Sequence, residues 1–405
     1  MSFVLKLWKQ RKFGSALAFR IAARLIASIG QAAFLLLLAR EIGPADFGVV
    51  AIVLSIGYMV MAVTSFGTST RVLRLAAETE PTIIATKLLY LRLLGTLVTA
   101  TTCLAVAYGY KDAAFIAVFM IASDQAADYA QAYLAGTNRQ IFSSFVVIGQ
   151  RIIPLGALWV SNAAGLASPQ VVMMSFAATL AISIVIPFRE RCKGLREVGF
   201  LAELRASSGY WMSSIAPNIS QLQVPALGMV LEAATVGLFA VAARLTNPFT
   251  IMVSALQTVL MPELSRRRGT ASFHTLYRAS VAASLVYGGL LAFSAWFLAD
   301  IVISLLGSEY TSARMLIVGM IIASGLSSIS QALQSKLLVE GRGGDVAWSI
   351  GVGSTVGLAC LMIIAVSAGE ASIWLAPILA QAVIAVGLAW RANTSLPWVG
   401  RHTRR

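Results

Sequence analysis

The feature that most constrains this chain is a succession of long apolar runs separated by short polar segments. A helix needs about 20 mostly apolar residues to cross about 30 Å of hydrocarbon. Runs of that length recur from one end of the chain to the other, and they predict an all-α integral membrane protein with about 12 transmembrane helices. The predicted spans are 15–39, 46–67, 83–108, 113–134, 141–161, 167–188, 207–231, 234–260, 274–299, 310–334, 345–367 and 371–390.

Charged side chains make up 12% of the chain, about half of the roughly 25% that is usual in a soluble domain. The net charge of +14 would suggest nucleic acid as a partner if the chain were soluble. Here the basic residues lie in short loops between apolar runs, with no aromatic-flanked basic patch. The pattern therefore argues against nucleic acid and indicates a membrane environment.

The distribution of lysine and arginine among the predicted loops indicates the orientation. Cytoplasmic loops carry the excess of these residues. With the N-terminus placed inside, the predicted inside segments hold 21 of them, whereas the outside loops hold only Arg40 and Lys111. Since one missed or extra span would destroy this asymmetry, the charges predict twelve crossings with both termini in the cytoplasm.

The longest predicted cytoplasmic connection, 189–206, is charged and falls near the middle of the chain. It divides the chain into a predicted N-terminal six-helix lobe, 1–198, and a C-terminal six-helix lobe, 199–405, with a basic cytoplasmic tail. The second span opens on a small-residue motif around Gly48, and the eighth opens on a similar motif around Gly237, 189 residues later. Repeats of this kind are common in secondary transporters, in which two bundles rock about a midplane site.

Four polar residues share one face of the first predicted span, because Arg20, Arg24, Ser28 and Gln31 follow at steps of four, four and three. An ionisable residue in a bilayer is costly unless it faces a cavity, the bundle interior or a partner. The planar fork of arginine suits an anionic ligand with several oxygens. Arg20 can instead place its charge among the headgroups, whereas Arg24 lies one turn deeper, where a cavity role is expected.

The eighth span contains a second candidate for the cavity. Arg244 lies ten residues into this helix, about 15 Å from its outer edge and close to mid-membrane. Asn247 and Pro248 follow within one turn, so the backbone there can be open to ligands. The alternative is an ion pair between Arg244 and an acid of the other lobe.

The fourth span contains Asp124 and Asp128, one turn apart. Lys87 and Arg92 of the third span and Arg151 of the fifth can neutralise them, and buried pairs of this kind are often structural. The functional interpretation is an ion-coupling site for a proton or sodium ion, because an intramembrane carboxylate can switch its charge. Asp124, nearest to mid-span, is then the better candidate.

Three short motifs carry a resemblance to a known family. They are REIGPADFG at 40–48, before a helix that ends in SFG at 65–67; VGLFAVAARL at 236–245; and MPELS at 261–265. Together they resemble the Wzx-type flippases of lipid-linked oligosaccharides, in the superfamily that also holds multidrug extruders and the lipid II flippase.

This resemblance implies two six-helix lobes around a central cavity, alternating access, and a substrate carried on a polyprenyl diphosphate. It implies arginines on the first and eighth helices as substrate ligands, as in the related lipid II flippase. It also implies the bacterial inner membrane as the location, with membrane lipid and polysaccharide assembly proteins as further partners. Many relatives have an acidic residue near 221–224, where this chain has QLQV, which argues against ion coupling at that position.

The sequence also bears on three other classes of membrane protein. A multidrug or small-molecule antiporter is the alternative, although arginines in the cavity favour an anionic substrate. A membrane enzyme of polysaccharide assembly needs a sizeable outer loop, and the predicted outer loops are short. The segment 67–74 lacks the Gly-x-x-x-Asp-Arg-x-Gly pattern of major facilitator transporters. Without a Walker loop or a metal-ligand spacing, no catalytic residue, cofactor or metal is expected. Energy is then not expected from ATP bound here, and a proton or sodium gradient is the candidate source.

Overall fold

The computed structural model describes residues 2–69, 71–72, 82–110, 113–137, 139–164, 169–189, 204–205, 207, 211, 215–246, 248–249, 264, 267, 270–340 and 342–394, without the side chains of 2–18, 20–21, 82–85 and 216–217. These residues are almost entirely helical and contain no strand. The helices are α1 (Ser2–Thr64), α2 (Thr82–Tyr108), α3 (Ala114–Gly136), α4 (Gln140–Ala163), α5 (Pro169–Arg189), α6 (Gln223–Leu227), α7 (Ala233–Leu245), α8 (Ala271–Leu306), α9 (Arg314–Val339), α10 (Gly343–Ser367) and α11 (Leu375–Asn393).

Helix α1 contains the first two predicted spans, joined by a kink where the sequence suggested a loop. Gly43 has φ 74° and ψ 169°, a conformation that glycine adopts readily and other residues rarely. Pro44 follows and has no N–H to give to the helix ladder. The apolar part of α1, Ala22–Thr64, has 43 residues, or about 65 Å of helix, which is twice the hydrocarbon thickness.

Eight helical stretches among the described residues are long and apolar enough to cross a membrane by length and composition. One of them is the kinked stretch of α1, which corresponds to two predicted spans. The others match predicted spans 3, 5, 6, 9, 10, 11 and 12 with shifted ends. The eight are Ala22–Thr64, Thr86–Tyr108, Gln140–Ala163, Pro169–Arg189, Ala271–Leu306, Ser308–Val339, Gly343–Ser367 and Glu370–Asn393.

Helix α3, the fourth predicted span, is long enough at 23 residues but too polar to be one of the eight, because it contains Asp124, Gln125 and Asp128. It packs against α1, α2, α4 and α5, and most of its side chains are buried. Since protein rather than lipid surrounds α3, its carboxylates can find polar partners.

The seventh and eighth predicted spans are the least regular part of the described chain. The seventh is a 3-10 segment, Ala216–Leu222, followed by the short helix α6, which contains Pro225. Helix α7 ends at Leu245, one residue after Arg244, and Thr246 caps it. The predicted continuation of the eighth span beyond Phe249 lies outside the described residues.

The two halves of the chain meet where the second arm of α1 crosses α7. A Cβ on Gly48 would lie 1.9 Å from the carbonyl oxygen of Ala233, and a Cβ on Gly237 would lie 1.9 Å from that of Pro44. The contact is reciprocal: Gly48 and Gly237 are 189 residues apart in the sequence, and so are Pro44 and Ala233. A two-fold relation between the halves produces such a contact, and glycine alone permits the backbones to approach this closely.

Contacts between helix ends agree with the predicted alternation of the spans. At the end predicted to lie outside, the Tyr310 hydroxyl donates to the carbonyl oxygen of Ala39 at 2.7 Å. At the opposite end, Lys336 Nζ donates to the carbonyl oxygen of Ala392 at 2.7 Å. Which of the two ends faces the cytoplasm rests on the loop charges and stays a prediction.

Candidate functional site

The carboxylate of Asp124 is the centre of a polar network inside the first half of the chain. The Tyr58 hydroxyl donates to one of its oxygens at 2.6 Å, and Gln150 Nε2 donates to the other at 2.6 Å. Arg151 forms a bidentate pair with the same carboxylate, at 2.9 and 3.1 Å. Asp124 is buried, so these donors replace the water that a carboxylate needs.

Asp128 lies one turn along α3 and has a more open surrounding. Arg92 donates to its Oδ2 at 2.8 Å, and the Ser69 hydroxyl donates to the same oxygen. Arg92 is only 1% exposed, whereas the Asp128 side chain is 50% exposed. Asp128 also lines a cavity of about 220 Å³, together with Tyr58, Met61, Ala62, Ser65, Gly67, Ser69 and Asn218. This carboxylate is therefore paired and still reaches an open space.

Arg244 lies where the two halves meet and is held by neutral groups. Its guanidinium is 5.1 Å from the centre of the Tyr58 ring, and it approaches Ser55 Oγ at 3.5 Å and Gln221 Oε1 at 3.4 Å. Both distances are longer than the 2.7–3.2 Å of a usual N–H···O bond. Among the described residues, Arg244 has no salt bridge. The arginine charge is thus loosely held, and no described acidic residue contacts it.

A cavity of about 230 Å³ lies beside Arg244 in the second half of the chain. It is bounded by the irregular seventh span and by α7, α9 and α11. Hydroxyl and amide groups make up much of its wall. The polar wall residues are Ser220, Gln221, Gln223, Arg244, Thr246, Ser324, Ser327 and Gln381. Such a wall can donate many hydrogen bonds to a polar ligand but offers it one fixed charge.

Tyr58 joins these parts of the site into one arrangement. Its ring lies under Arg244, its hydroxyl binds Asp124, and its side chain lines the cavity beside Asp128. A ligand that binds at Arg244 can therefore affect the carboxylates of α3 through the side chain of Tyr58.

The structure brings together part of the predicted set. Arg244 and Asp124 both contact Tyr58, one at the ring face and the other at the hydroxyl. The partners proposed for the two carboxylates, Arg151 and Arg92, are the ones observed. Lys87 does not take part in either pair.

The remaining predicted site residues are on α1 or beyond α7. Arg24 is exposed and Gln31 half-buried, and neither is among the wall residues of the cavities described above. The side chain of Arg20 and the whole of Asn247 lie outside what the structure describes. A substrate role for these four residues stays a prediction.

Sequence reasoning missed Tyr58, Gln150 and Ser55. Tyr58 is a tyrosine deep in an otherwise apolar span, and Gln150 precedes an intramembrane arginine. Polar groups at such depth are costly and so indicate a site. Ser55 could also have been found from the sequence, because it precedes Arg244 by 189 residues, the same separation as that between Gly48 and Gly237.

No protein-family model matches this chain, and no curated protein matches it. Solved structures match over nearly its full length. The lipid II flippase MurJ, in an inward closed conformation, gives a TM-score of 0.71 at 12% identity, with 94% of this chain and 87% of that chain covered. An inward-facing multidrug resistance MATE family transporter of the MOP superfamily gives 0.68 at 14% identity, covering 92% and 97%.

A third similar structure is a MOP superfamily transporter from Pyrococcus furiosus, described as having a reverse polarity of its binding pocket that suggests a different function. Its TM-score is 0.58 at 13% identity, with 93% of this chain and 94% of that chain covered. These likenesses establish the fold and confirm the predicted fold class, an all-α membrane protein with the architecture of MATE transporters and MurJ. The narrower resemblance to Wzx-type flippases stays a prediction.

Proposed function

We propose that this chain is a membrane transporter that moves a polyprenyl-diphosphate-linked oligosaccharide from the cytoplasmic to the outer leaflet by alternating access. Its setting is the bacterial inner membrane, with both termini in the cytoplasm. The shared fold supports transport in general, since the three similar structures are described as transporters or a flippase. The substrate class rests on Arg244.

Arg244 is suited to an anionic substrate because its charge has no acidic partner in direct contact among the described residues. A diphosphate must leave the headgroup layer to cross the membrane, and it loses solvation as it does so. A guanidinium in a polar cavity offsets that loss, with each charge-assisted hydrogen bond contributing about 1.5–3 kcal/mol. The loose contacts of Arg244 with Ser55 and Gln221 leave its donors able to turn toward a ligand.

The crossing of α1 and α7 supports alternating access. Gly48 and Gly237 bring the backbones of α1 and α7 into contact at the end that the loop charges place outside. Opening a path to the outer leaflet requires this crossing to separate, so that Arg244, seven residues further along α7 than Gly237, can face the other side. Tight backbone contact between the halves at one end agrees with an inward-facing or closed state.

For energy coupling, the geometry favours Asp128 over Asp124, although both stay candidates. The oxygens of Asp124 already accept four hydrogen bonds, from Tyr58, Gln150 and Arg151. Asp128 is half exposed and has one oxygen, Oδ1, without a described partner. A proton or sodium ion can reach this carboxylate through the cavity that it lines.

A multidrug or small-molecule antiporter is the second candidate, because a MATE transporter has a similar fold. The two candidates differ in the charge of the substrate. An extruder of organic cations needs carboxylates facing its cavity, whereas the described residues of the wall around Arg244 include no acidic one. Asp128 faces a different cavity of similar volume, so binding of a cationic substrate also has a structural basis. An experiment must distinguish the two candidates.

The experiment is a binding measurement on the purified protein in lipid nanodiscs, with undecaprenyl diphosphate and ethidium as probes. We expect the diphosphate to bind, and Arg244→Ala to weaken it about tenfold to a hundredfold, since one charge-assisted bond is worth that much. Arg244→Lys is expected to weaken it too, because an ammonium cannot bind bidentately. Arg314→Ala is the matched control: this arginine pairs with Asp300 and stacks on Trp296, away from the cavity.

Two outcomes would overturn the proposal. One is undiminished diphosphate binding by Arg244→Ala at normal folding. The other is ethidium binding that depends on Asp128 and not on Arg244, which would assign the chain to the antiporter class.

A further inference from the structure

A groove of about 570 Å³ runs between α4 and α5, with the end of α3 contributing to its wall. It is separate from the cavities beside Arg244 and Asp128. Most of its wall is apolar or aromatic. The wall residues are Leu134, Arg139, Phe142, Phe145, Val146, Gly149, Gln150, Ile153, Thr179, Ile182, Ser183, Ile186 and Arg189.

The groove has a charged end and an apolar length. Arg139 precedes the first residue of α4, and Arg189 is the last residue of α5, so both arginines lie at the same end. Both belong to segments that the loop charges place in the cytoplasm. From Arg189 to Thr179 the groove follows ten residues of helix, about 15 Å, which is half of the roughly 30 Å hydrocarbon thickness.

The apolar wall is open rather than packed. Phe142 is 64% exposed, Phe145 57% and Ile182 50%, so these side chains face the surroundings of the helix bundle. Deeper in the groove, Ser183 is 2% exposed. A ligand in this groove therefore meets cations at headgroup depth, then hydrocarbon surface over the depth of one leaflet.

We propose that this groove binds an anionic phospholipid of the leaflet that borders Arg139 and Arg189. The phosphate lies against the two guanidinium groups, and one acyl chain lies along Phe142, Phe145 and Ile182. Charge complementarity selects an anionic headgroup, because two arginines at the membrane surface attract anionic lipid. The match between groove length and leaflet depth selects a lipid chain over a compact organic molecule or a peptide.

The position of the groove connects the lipid to the candidate site. Gln150 belongs to the groove wall and also donates to Asp124, and its neighbour Arg151 forms the bidentate pair with the same carboxylate. A bound acyl chain packs against the helix face that presents Gln150. The lipid is thus a structural partner of α4, independent of which substrate the protein transports.

The test is native mass spectrometry of the full-length protein released from nanodiscs that contain phosphatidylglycerol and phosphatidylcholine in equal amounts. We expect wild type to retain one phosphatidylglycerol in preference to phosphatidylcholine. The Arg139→Gln/Arg189→Gln variant is expected to lose that preference by about tenfold or more, since two cations are removed from the headgroup site.

A second variant tests the apolar part without touching the arginines. A Cβ on Gly149 would make only an ordinary contact, 3.7 Å from Ile153 Cδ1, so Gly149→Leu places a side chain in the groove without a backbone clash. We expect it to reduce phosphatidylglycerol retention as strongly as the double arginine change. Gly156→Leu on the same helix is the matched control, because a Cβ there meets nothing within 4 Å and Gly156 is outside the groove.

Retention of both lipids in equal amounts by wild type overturns the proposal, as does phosphatidylglycerol retention that survives Gly149→Leu. If added undecaprenyl phosphate occupies the groove and phosphatidylglycerol does not, the proposal is also wrong and the groove belongs to the lipid carrier. None of these readouts depends on Arg244, so the outcome is separate from that of the proposed transport function.

Discussion

Arg244 and Ser55 meet at 3.5 Å although 189 residues separate them, the same separation that relates Gly48 to Gly237. Within the predicted repeat, Arg244 thus occupies in the second half the position that Ser55 occupies in the first. Equivalent positions touch each other only near a two-fold axis. The arginine therefore places a single positive charge at the junction of the halves, and only one half contributes it.

The glycine crossing predicts a conformational effect of very small substitutions. In Gly48→Ala or Gly237→Ala, the new methyl would lie 1.9 Å from a carbonyl oxygen, so α1 and α7 must separate. We expect transport to be lost at normal membrane levels, with greater reactivity of an engineered cysteine at the outer end of α7. Gly289→Ala is the control, since a Cβ there meets nothing within 4 Å. Unchanged transport and reactivity would show that this contact is not part of the transport cycle.

The bidentate pair between Asp124 and Arg151 predicts strong thermodynamic coupling. Breaking a buried pair leaves an uncompensated charge and costs about 3–5 kcal/mol. We expect Asp124→Asn and Arg151→Gln each to lower the free energy of unfolding by that amount, and the double variant to recover part of it. A double-mutant cycle in detergent measures the coupling. The exposed pair of Asp300 and Arg314 serves as the control, with an expected coupling below about 1 kcal/mol.

The same experiment bears on ion coupling. A stable Asp124→Asn protein that has lost transport would favour the ion site that the sequence indicated at this residue. Rescue by the double variant would count against it and assign Asp124 a structural role.

Tyr58 is expected to have two separable contributions. Tyr58→Phe removes the donor to Asp124 but keeps the ring under Arg244, and we expect it to cost about 1.5–3 kcal/mol of unfolding free energy. Tyr58→Leu also removes the ring and is expected to cost about 0.5–2 kcal/mol more. Chemical denaturation in mixed micelles measures both. Tyr108, 85% exposed at the end of α2, gives the control substitutions, which should leave stability unchanged; equal costs for both Tyr58 variants would exclude a contribution from the ring.

The proposal of an anionic substrate at Arg244 makes a prediction in cells. We expect Arg244→Ala and Arg24→Ala to reduce surface polysaccharide, and the Arg→Lys changes to be damaging as well because an ammonium does not bind bidentately. Surface glycan is measured alongside the membrane level of each variant. Normal export by Arg244→Ala at normal expression would show that this arginine is structural. A normal phenotype for Arg24→Ala alone would restrict the substrate site to the junction of the halves, in keeping with the exposure of Arg24.

The membrane topology that the loop charges predict can be tested without the structure. Reporter fusions at Lys193 and Arg401 are expected to be cytoplasmic, and a fusion at Ala164 periplasmic. A periplasmic reporter at Arg401 would rule out the map of twelve spans.

Part of the candidate site could be predicted from the sequence, because a charged residue stands out against the apolar residues next to it. Asp124, Asp128 and Arg244 each lie inside an apolar run, where a charge is costly enough to require a reason. The partners of these charges cannot be predicted in the same way, because they are distant in the sequence. Tyr58 and Asp124 are 66 residues apart, and Arg151 is 27 residues beyond Asp124. Their contact depends on the packing of three helices, which no spacing along the chain encodes.

By itself, the sequence determined the all-helical membrane fold, the approximate positions of the spans and the separation of the repeat glycines. Apolar length and loop charge act residue by residue, so they can be read in order along the chain. The tertiary structure alone decided that the loop expected at 40–45 is a kink at Gly43 and that most side chains of α3 are buried by protein. It also decided that Arg244 contacts Tyr58 and no acid among the described residues. Those outcomes are set by which helix faces meet, and helix packing is a property of the whole bundle.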